Sequence, residues 1–126
     1  MIVGIGIDME SVERVREAIE RHGERFIQRV YTPGEIAYVE SKANKWERFA
    51  ARFAAKEAGM KAIGTGWDKG VAWRDVEIVN EADGCPVLVL HGRAKEIADQ
   101  RGCKRTWVSL SHTREYAVAQ VILETA

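Results

Sequence analysis

The sequence predicts an α+β fold in which a largely antiparallel sheet packs on helices, within one domain that spans residues 1–126. Three observations predict this class. Strand-like segments occur at both ends of the chain, helical periodicity fills much of the first half, and no linker or internal repeat divides the sequence. A length of 126 residues suits one domain with a modest core.

The first half reads as one strand followed by helices. Residues 2–9 alternate, with two predicted faces: Val3, Ile5 and Ile7 on one, Gly4, Gly6 and Asp8 on the other. Ser11 is the expected N-cap of a helix that reaches about Arg21 and presents the apolar stripe Val12, Val15 and Ile19. A break at Gly23 precedes a short helical turn around residues 26–30.

Two further helices complete this half. Thr32 is the predicted N-cap of the first, with Pro33 at its first position. Asn44 could cap the longest helix, expected from about Lys45 to Ile63 because it is rich in alanine, and Gly64 would end it. Residues 64–70 then read as a loop.

The second half reads as two strand pairs around a short helix. Residues 73–79 and 86–91 look like strands joined by a turn at 80–84, and a helix is expected over 93–100. Two final strands, over 106–112 and 116–123, flank a tight turn at 113–114.

Bulk composition excludes several kinds of protein. The 19 basic and 19 acidic residues balance, which argues against a general nucleic-acid binder. No apolar run approaches the roughly 20 residues of a membrane helix, and Asp8 interrupts an N-terminus that lacks a basic n-region. Cys85 and Cys103 lack metal-type spacing and are expected to be free thiols. We therefore expect a soluble, cytoplasmic protein.

Asp8 is the first candidate for chemistry. It ends an apolar strand on the face that otherwise shows only glycine, so a ligand or another chain could approach the bare backbone beside it. A metal ligand and a plain ion-pair partner are both compatible with this position.

Glu57 is the second candidate. At 100° per residue it falls within the apolar stripe of the long helix that Trp46, Phe49 and Phe53 define. A carboxylate facing a core is costly unless it is paired or binds a cation. Lys61, one turn further on, could pair with it, or the two could form an acidic ligand or base with a neighbouring cation.

Basic residues form two stripes. Arg48, Arg52 and Lys56 follow one another at spacings of four, so a polyanion such as a nucleotide would relieve their repulsion, although a solvated face fits equally well. Arg14, Arg21 and Arg25 form a second stripe if helical geometry persists through Gly23. It is compatible with a salt-bridged surface helix, through a Glu17–Arg21 pair, or with docking of an acidic partner helix.

A polar segment ends the predicted strand over 106–112. Ser109 and Ser111 share one face and His112 lies on the other, so hydroxyls and an imidazole could bind phosphate near the turn. Ser111 and His112 cannot form a nucleophile–base pair, because neighbouring strand residues point to opposite faces, and no G-x-S-x-G elbow is present. His112 is equally compatible with a hydrogen-bonded edge histidine.

Three segments, taken together, carry a resemblance to a known family. They are GIGIDMESVERV, FAARFAAKEAGMKAIGTG and VSLSHTREYAVAQVIL. In this order and over the whole chain they resemble the holo-acyl-carrier-protein synthases, the small bacterial phosphopantetheinyl transferases. The resemblance implies a 4'-phosphopantetheinyl transferase-like fold and transfer of the phosphopantetheine arm of coenzyme A to a serine of an acyl carrier protein, in support of fatty-acid biosynthesis.

The resemblance also implies roles for individual residues. Asp8 and Glu57 would bind Mg²⁺, Glu57 or a water on the ion would take the serine proton, and Lys61 would steady the phosphate charge. Coenzyme A contacts are implied for Lys61 and for Arg48, Arg52, Ser109, Ser111, His112 and Thr113. Arg14, Arg21 and Arg25 would dock the carrier protein. Members of the family are homotrimers with active sites at the subunit boundaries.

Two other classes of function remain open from the residues alone. A magnesium-dependent nucleotide hydrolase would also use two carboxylates and a cation, with water as acceptor. A non-catalytic module could grip an acidic partner, with Glu57 and Lys61 purely structural.

Overall fold

The structure is a computed structural model that describes residues 1–66 and 69–126. In these residues the chain forms the following elements in order: β1 (Ile2–Ser11), α1 (Val12–His22), α2 (Glu24–Val30), α3 (Pro33–Glu40), α4 (Lys45–Ile63), β2 (Val76–Asn80), β3 (Pro86–Leu90), α5 (Gly92–Gln100), β4 (Arg105–His112) and β5 (Tyr116–Glu124).

Both sheets are antiparallel, which confirms the predicted fold class. The larger sheet has the order β1-β5-β4, and the smaller one is the β2–β3 hairpin. In the larger sheet Ala119 of β5 lies between Asp8 of β1 and Leu110 of β4. Because β5 is central, its register fixes which residues of the two outer strands share a face.

Local capping explains why most helix ends were predicted correctly. The Ser11 hydroxyl accepts a hydrogen bond from the Arg14 backbone N–H at 3.2 Å. Thr32 and Glu35 form a reciprocal capping box, with Pro33 in the first turn. Gly64 ends α4 with a φ of 83°, in the left-handed region that favours glycine.

Asn44 occupies the N-cap position of α4 without capping it through its side chain. Its side-chain oxygen instead accepts a hydrogen bond from Arg48 Nε at 3.2 Å. The predicted side-chain cap is therefore wrong, because Arg48, one turn away, takes the Asn44 oxygen that would have capped the helix.

Two strand predictions also need correction. The strand expected from residue 73 begins at Val76, because residues 73–75 form a 3-10 turn in which Asp75 Oδ2 accepts from the Ala72 backbone N–H at 3.0 Å. Val3 was predicted on the face of Ile5 and Ile7, but a register shift between Ile2 and Gly4 lets it pack against the core. Of the predicted loop 64–70, residues 67–68 lie outside the described residues, and the rest is neither helix nor strand.

Helix α4 joins two hydrophobic clusters. Its N-terminal half packs with α1, α2 and α3, and its C-terminal half packs with both sheets and α5. Cys103 is buried and Cys85 exposed, and both are free, as expected. No helix in the part of the chain that the structure describes is long and apolar enough to cross a bilayer.

The glycine face of β1 lies directly against α4. A Cβ added at Gly4 would lie 2.1 Å from the Ala62 carbonyl oxygen, and one at Gly6 would lie 1.9 Å from that of Ala58. The bare backbone was predicted to admit a ligand or another chain. That prediction is wrong, because α4 of the same chain occupies the space.

This close approach predicts that Gly6→Ala destabilises the protein by about 1–3 kcal/mol or more, since the clash is with backbone that cannot rotate away. Urea unfolding measures the change. Gly34→Ala is the control, because its Cβ would meet only ordinary contacts at 3.6 Å or beyond, and it should change the free energy of unfolding by less than about 1 kcal/mol. Equal stability of the two variants would contradict the packing described here.

Candidate active site

Asp8 and Lys61 meet where β1 crosses α4. Lys61 Nζ lies 3.1 Å from Asp8 Oδ1 and donates a second hydrogen bond to the Ile7 carbonyl oxygen at 3.0 Å. The Asp8 side chain is 13% exposed and that of Lys61 is 55% exposed. A partly exposed ammonium group therefore lies beside a largely buried carboxylate, a pairing that the sequence did not indicate.

Glu57 lies one turn before Lys61, at the margin of the core. On the stripe predicted to face the core, Phe49 is buried whereas Trp46, Phe53 and Glu57 are half-buried. The stripe lies at the edge of the core because neighbouring elements cover most of the circumference of α4. Glu57 therefore stays within reach of a ligand, which the predicted core position would not have allowed.

Glu10 adds a third carboxyl group that sequence reasoning did not assign to this site. Burial, then a side-chain hydrogen bond with Asp8 and the charges of Asp8 and Glu57, raise the pKa of Glu10 to about 8, and Lys61 partly opposes this. The signal that could have found it is its spacing: two residues after Asp8 on a strand, Glu10 points to the same face. We call Asp8, Glu10, Glu57 and Lys61 the carboxylate site.

The carboxylate site suits a divalent cation. Asp8 Oδ2 is buried and has no hydrogen-bond partner among residues 1–66 and 69–126. A buried acceptor without a partner is costly, and a hard cation would satisfy it. Magnesium takes oxygen ligands, usually one or two carboxylates together with substrate phosphates. The residues present therefore fit the predicted ion.

A second site, which we call the cation cavity, has a volume of about 160 Å³. Its lining includes Tyr38, Arg48, Arg52, Asn80 and His112. Three of these were predicted to contact coenzyme A. Tyr38 and Asn80 were not, because they come from α3 and from the end of β2, far away in the sequence.

Tyr38 holds two guanidinium groups in the cation cavity. Arg52 is 2% exposed, lies 4.2 Å from the centre of the Tyr38 ring and donates to Asn80 Oδ1. Arg48 Nη1 donates to the Tyr38 hydroxyl at 3.1 Å. Arg52 Nε is buried without a hydrogen-bond partner in the described part of the chain. Two fixed guanidinium groups with a free donor favour an anion such as phosphate.

His112 lies at the edge of the cation cavity. Its Nδ1 is 2.8 Å from Glu47 Oε1, and both side chains are about one-quarter exposed, at 24% and 23%. The strand alternation confirms that His112 and Ser111 point to opposite faces. The ring is therefore oriented by Glu47 and is not paired with a serine.

Lys56 is not part of a surface stripe. Its side chain is fully buried, and its ammonium lies 2.7 Å from Glu35 Oε1 and donates to the backbone oxygens of Trp73 and Val76. Of the predicted stripe, only Arg48 and Arg52 therefore remain for an anion. The solvated-face reading is wrong as well, because Arg52 is also buried.

The two sites lie on opposite sides of α4. Arg52 and Glu57 are five residues apart, which corresponds to about 140° around the axis at 3.6 residues per turn. Within one chain, the structure therefore groups Asp8, Glu57 and Lys61 separately from Arg48, Arg52 and His112.

Ser109 and Ser111 lie in neither site. They belong to the exposed face of the larger sheet, which we call the outer sheet face; it consists of Ile5, Ile7, Met9, Trp107, Ser109, Ser111, Tyr116, Val118, Gln120 and Ile122. Thr113 lies in the β4–β5 turn, where its hydroxyl accepts from the Glu115 and Tyr116 N–H groups at 3.2 and 3.1 Å. Their predicted contacts with coenzyme A stay predictions.

The predicted basic stripe spans two helices. Gly23, with a φ of 58°, separates α1 from α2, so Arg14 and Arg21 lie on one helix and Arg25 on the next. All three are exposed, and Arg25 lines a groove of about 600 Å³. Among the described residues, the ion pair within α1 joins Arg16 and Glu20 at 3.3 Å, not Glu17 and Arg21.

Known proteins are similar to this chain in sequence and in fold. The profile of the 4'-phosphopantetheinyl transferase superfamily matches residues 4–121. A holo-[acyl-carrier-protein] synthase from Solibacter usitatus is 59% identical over 98% of this chain and 99% of its own length.

Solved structures agree with the sequence matches. The holo-[acyl-carrier-protein] synthase from Neisseria meningitidis has a TM-score of 0.88 at 33% identity, covering 99% of this chain and all of its own. That from Bacillus anthracis, in complex with CoA (3',5'-ADP), has a TM-score of 0.81 at 36% identity, covering 100% and 99% of the two chains.

The fold and the matches define a transferase of the 4'-phosphopantetheinyl transferase superfamily. Within that superfamily, the chain belongs to the holo-[acyl-carrier-protein] synthase family, which confirms the resemblance carried by its three motifs.

Proposed function

We propose that this chain transfers the 4'-phosphopantetheine group from coenzyme A to a serine of an apo acyl carrier protein, with Mg²⁺ held by Asp8 and Glu57. The observation that carries the proposal is the carboxylate site, with its partnerless Asp8 oxygen and its adjacent Lys61, in a chain of this family. The cation cavity supports it, because coenzyme A carries several phosphates that need positive partners.

The proposed reaction exchanges the phosphoanhydride bond of coenzyme A for a phosphoester bond to serine. The serine oxygen forms a bond to the β-phosphorus of coenzyme A, the bond between that phosphorus and the bridging oxygen breaks, and 3',5'-ADP leaves with the electron pair. Negative charge grows on the phosphate oxygens, and the exposed Lys61 ammonium can reach them. A bound magnesium ion would polarise the phosphate oxygens and offset their charge.

The serine proton needs an acceptor near the carboxylate site. Asp8 already binds Lys61 through Oδ1. His112 is held beside Glu47, which lies ten residues from Glu57 and hence about 15 Å away along the axis of α4. We therefore assign proton acceptance to Glu57.

The separation of the two sites supports a shared active site in a homotrimer. One coenzyme A molecule cannot easily bridge opposite sides of a buried helix within one chain, but a neighbouring chain could bring its cation cavity to the carboxylate site. The outer sheet face is suited to such an interface, because Ile5, Ile7 and Met9 are each more than half exposed although apolar. Ser109 and Ser111 on this face would then lie near the neighbouring chain.

Charge on the outer sheet face is expected to separate the chains. In sedimentation the wild type should show three times the chain mass of 14.2 kDa, and Ile7→Glu should show one chain mass with transfer reduced at least about tenfold, because a buried charge without a partner opposes association. Val79→Glu is the control, since Val79 is also exposed but lies on β2, outside this face. An active single-chain Ile7→Glu protein would contradict a shared site.

Arg14, Arg21 and Arg25 would dock the carrier protein. Their exposure, together with the groove that Arg25 lines, supports an acidic partner, for which charge mainly sets encounter rate and specificity. We place the reaction in fatty-acid biosynthesis in the cytoplasm, where two unpaired cysteines are ordinary.

Product analysis separates transfer from the alternatives. Coenzyme A and Mg²⁺ are incubated with the protein, with and without apo acyl carrier protein, and 3',5'-ADP is quantified by chromatography. Transfer predicts that 3',5'-ADP forms only when the carrier protein is present. Release without the carrier protein would favour the nucleotide hydrolase, and no release in either case would favour the non-catalytic binding module.

A further inference from the structure

Arg101 ends two helices at once. Its backbone N–H donates to the carbonyl oxygens of Ile97 and Ala98, at 3.2 and 3.1 Å, where α5 ends. Its guanidinium group reaches the end of α4, where Nη1 donates to the Ala62 carbonyl oxygen at 3.3 Å and also to that of Ile63. One residue therefore joins the last turn of α5 to the last turn of α4.

The end of α4 needs such a donor. The last four carbonyl groups of an α-helix have no partner within the helix, and they carry partial negative charge. The Gly64 backbone N–H donates to the Met60 carbonyl oxygen at 2.9 Å, and Arg101 serves carbonyl groups further along. An arginine at a helix C-terminus satisfies these acceptors and offsets their charge. The guanidinium group is therefore a cap for α4 that another helix supplies.

The backbone on either side of Arg101 is held in the core. Ala98 and Cys103 are buried in the same hydrophobic cluster as Ala62 and Ile63. The Cys103 backbone N–H donates to the Ala98 carbonyl oxygen at 3.0 Å, so the chain closes tightly around the end of α5. The guanidinium group of Arg101 therefore reaches α4 from a fixed point, and its bonds restrain the last turn of that helix.

The same turn of α4 presents Lys61 to the carboxylate site. Lys61 directly precedes Ala62, and its Nζ donates to Asp8 Oδ1 at 3.1 Å. The Ala62 carbonyl group is also so close to β1 that a Cβ added at Gly4 would lie 2.1 Å from its oxygen. Both β1 and Arg101 therefore hold this turn, and a shift of the turn would move Lys61 relative to Asp8.

We propose that Arg101 is a positioning residue for the transfer reaction, which fixes the last turn of α4 and through it the ammonium group of Lys61. The inference rests on the role that the proposed function gives to Lys61, and it deepens that role. Small displacements of an aligned group are costly in rate, so the loss of Arg101 acts on the chemical step. The cation cavity, on the opposite side of α4, keeps its contacts with coenzyme A.

Steady-state kinetics of matched variants tests the positioning role. Arg101→Met keeps an unbranched side chain without its donors, so kcat should fall about tenfold or more, while the KM for coenzyme A should change less than about threefold. Arg101→Lys should recover most of kcat, because an ammonium group can still donate to the ends of α4. Arg93→Met is the control, because Arg93 lies at the other end of α5, where it pairs with Glu96 and donates to the Lys69 carbonyl oxygen. Its kcat should equal that of the wild type.

Hydrogen exchange tests the same inference without the reaction. Amide exchange of the free protein is followed by mass spectrometry in a peptide that covers residues 58–64. Arg101→Met should speed exchange in this peptide about tenfold or more, because the end of α4 opens more often. Exchange over residues 12–22 of α1 should stay at the wild-type rate, and Arg93→Met should change neither segment.

The outcomes separate this inference from the proposed function. Unchanged exchange over residues 58–64 in Arg101→Met would overturn the inference whatever the transfer rate, and so would faster exchange throughout the chain. Faster local exchange with a wild-type kcat, or equal losses of kcat in Arg101→Met and Arg101→Lys, would also overturn it. If the wild type transferred nothing, the proposed function would be wrong, whereas faster local exchange would still support Arg101 as the residue that fixes the turn bearing Lys61.

Discussion

Replacing Glu57 with glutamine is expected to lower the rate of phosphopantetheine transfer by about 100-fold or more. The substitution removes one charge from the magnesium site and the group to which we assign proton acceptance, and single groups of this kind contribute about 10²–10³ in rate. The free energy of unfolding should change little, because Glu57 is half-buried at the margin of the core. Initial rates at saturating coenzyme A and urea unfolding, measured on one preparation, check both statements.

Glu96→Gln is the control for this prediction. Glu96 is an exposed acidic residue on α5, paired with Arg93 and outside both sites, so its loss should leave the rate unchanged. If Glu57→Gln kept the wild-type rate, Glu57 would be neither base nor ligand. A large loss of stability in Glu57→Gln would point instead to a structural role, as the binding-module alternative requires.

Replacing Lys56 with methionine is expected to destabilise the protein by about 3–5 kcal/mol, because removal of one partner leaves the other charge buried. Glu35 would remain fully buried, and among the described residues the Thr32 and Ile78 backbone N–H groups would still donate to it. The pair links α4 to α3 and β2, so its loss should act on global unfolding. Urea titration at pH 7 measures it.

Lys95→Met provides the matched control. Lys95 and Asp99 form an ion pair on α5 with both side chains more than half exposed, and such pairs contribute about 0–1 kcal/mol. A loss below about 1 kcal/mol in Lys56→Met as well would contradict the burial described for Lys56 and Glu35.

Sequence predicted the parts of the fold that local chemistry determines. Ser11, Thr32 and Gly64 end or begin helices through bonds and backbone angles within a few residues, and all three were predicted. The start of β2 was missed because the Asp75 side chain bonds to the backbone at Ala72, which favours a turn over a strand.

Contacts between distant segments could not be predicted. Nothing in the sequence around Glu35 indicates that it forms a buried ion pair with Lys56. Nothing around Lys61 indicates that it pairs with Asp8. The glycine face of β1 was interpreted as open because periodicity shows which residues share a face, not which element covers it. Only the packing of α4 decides that question.

The arrangement of the candidate site was less predictable than its residues. Asp8 pairs with Lys61, and Glu57 lies one turn before Lys61 on α4. These residues come from two of the three motifs, and their roles stay predictions. Helix geometry alone places Arg52 on the side of α4 opposite Glu57. The burial of Arg52 beside Tyr38, in contrast, depends on how α3 packs against α4. Glu10 was visible as a spacing of two on a strand and was not used.

Intact-mass spectrometry of an apo acyl carrier protein tests the central claim most directly. The carrier protein is incubated with this protein, coenzyme A and Mg²⁺. The account predicts a gain of one phosphopantetheine arm, about 340 Da, on a single serine, and no gain when Mg²⁺ is withheld or when Asp8→Ala replaces the wild type. An unchanged mass with several carrier proteins, from wild-type protein that is folded and binds coenzyme A, would contradict it.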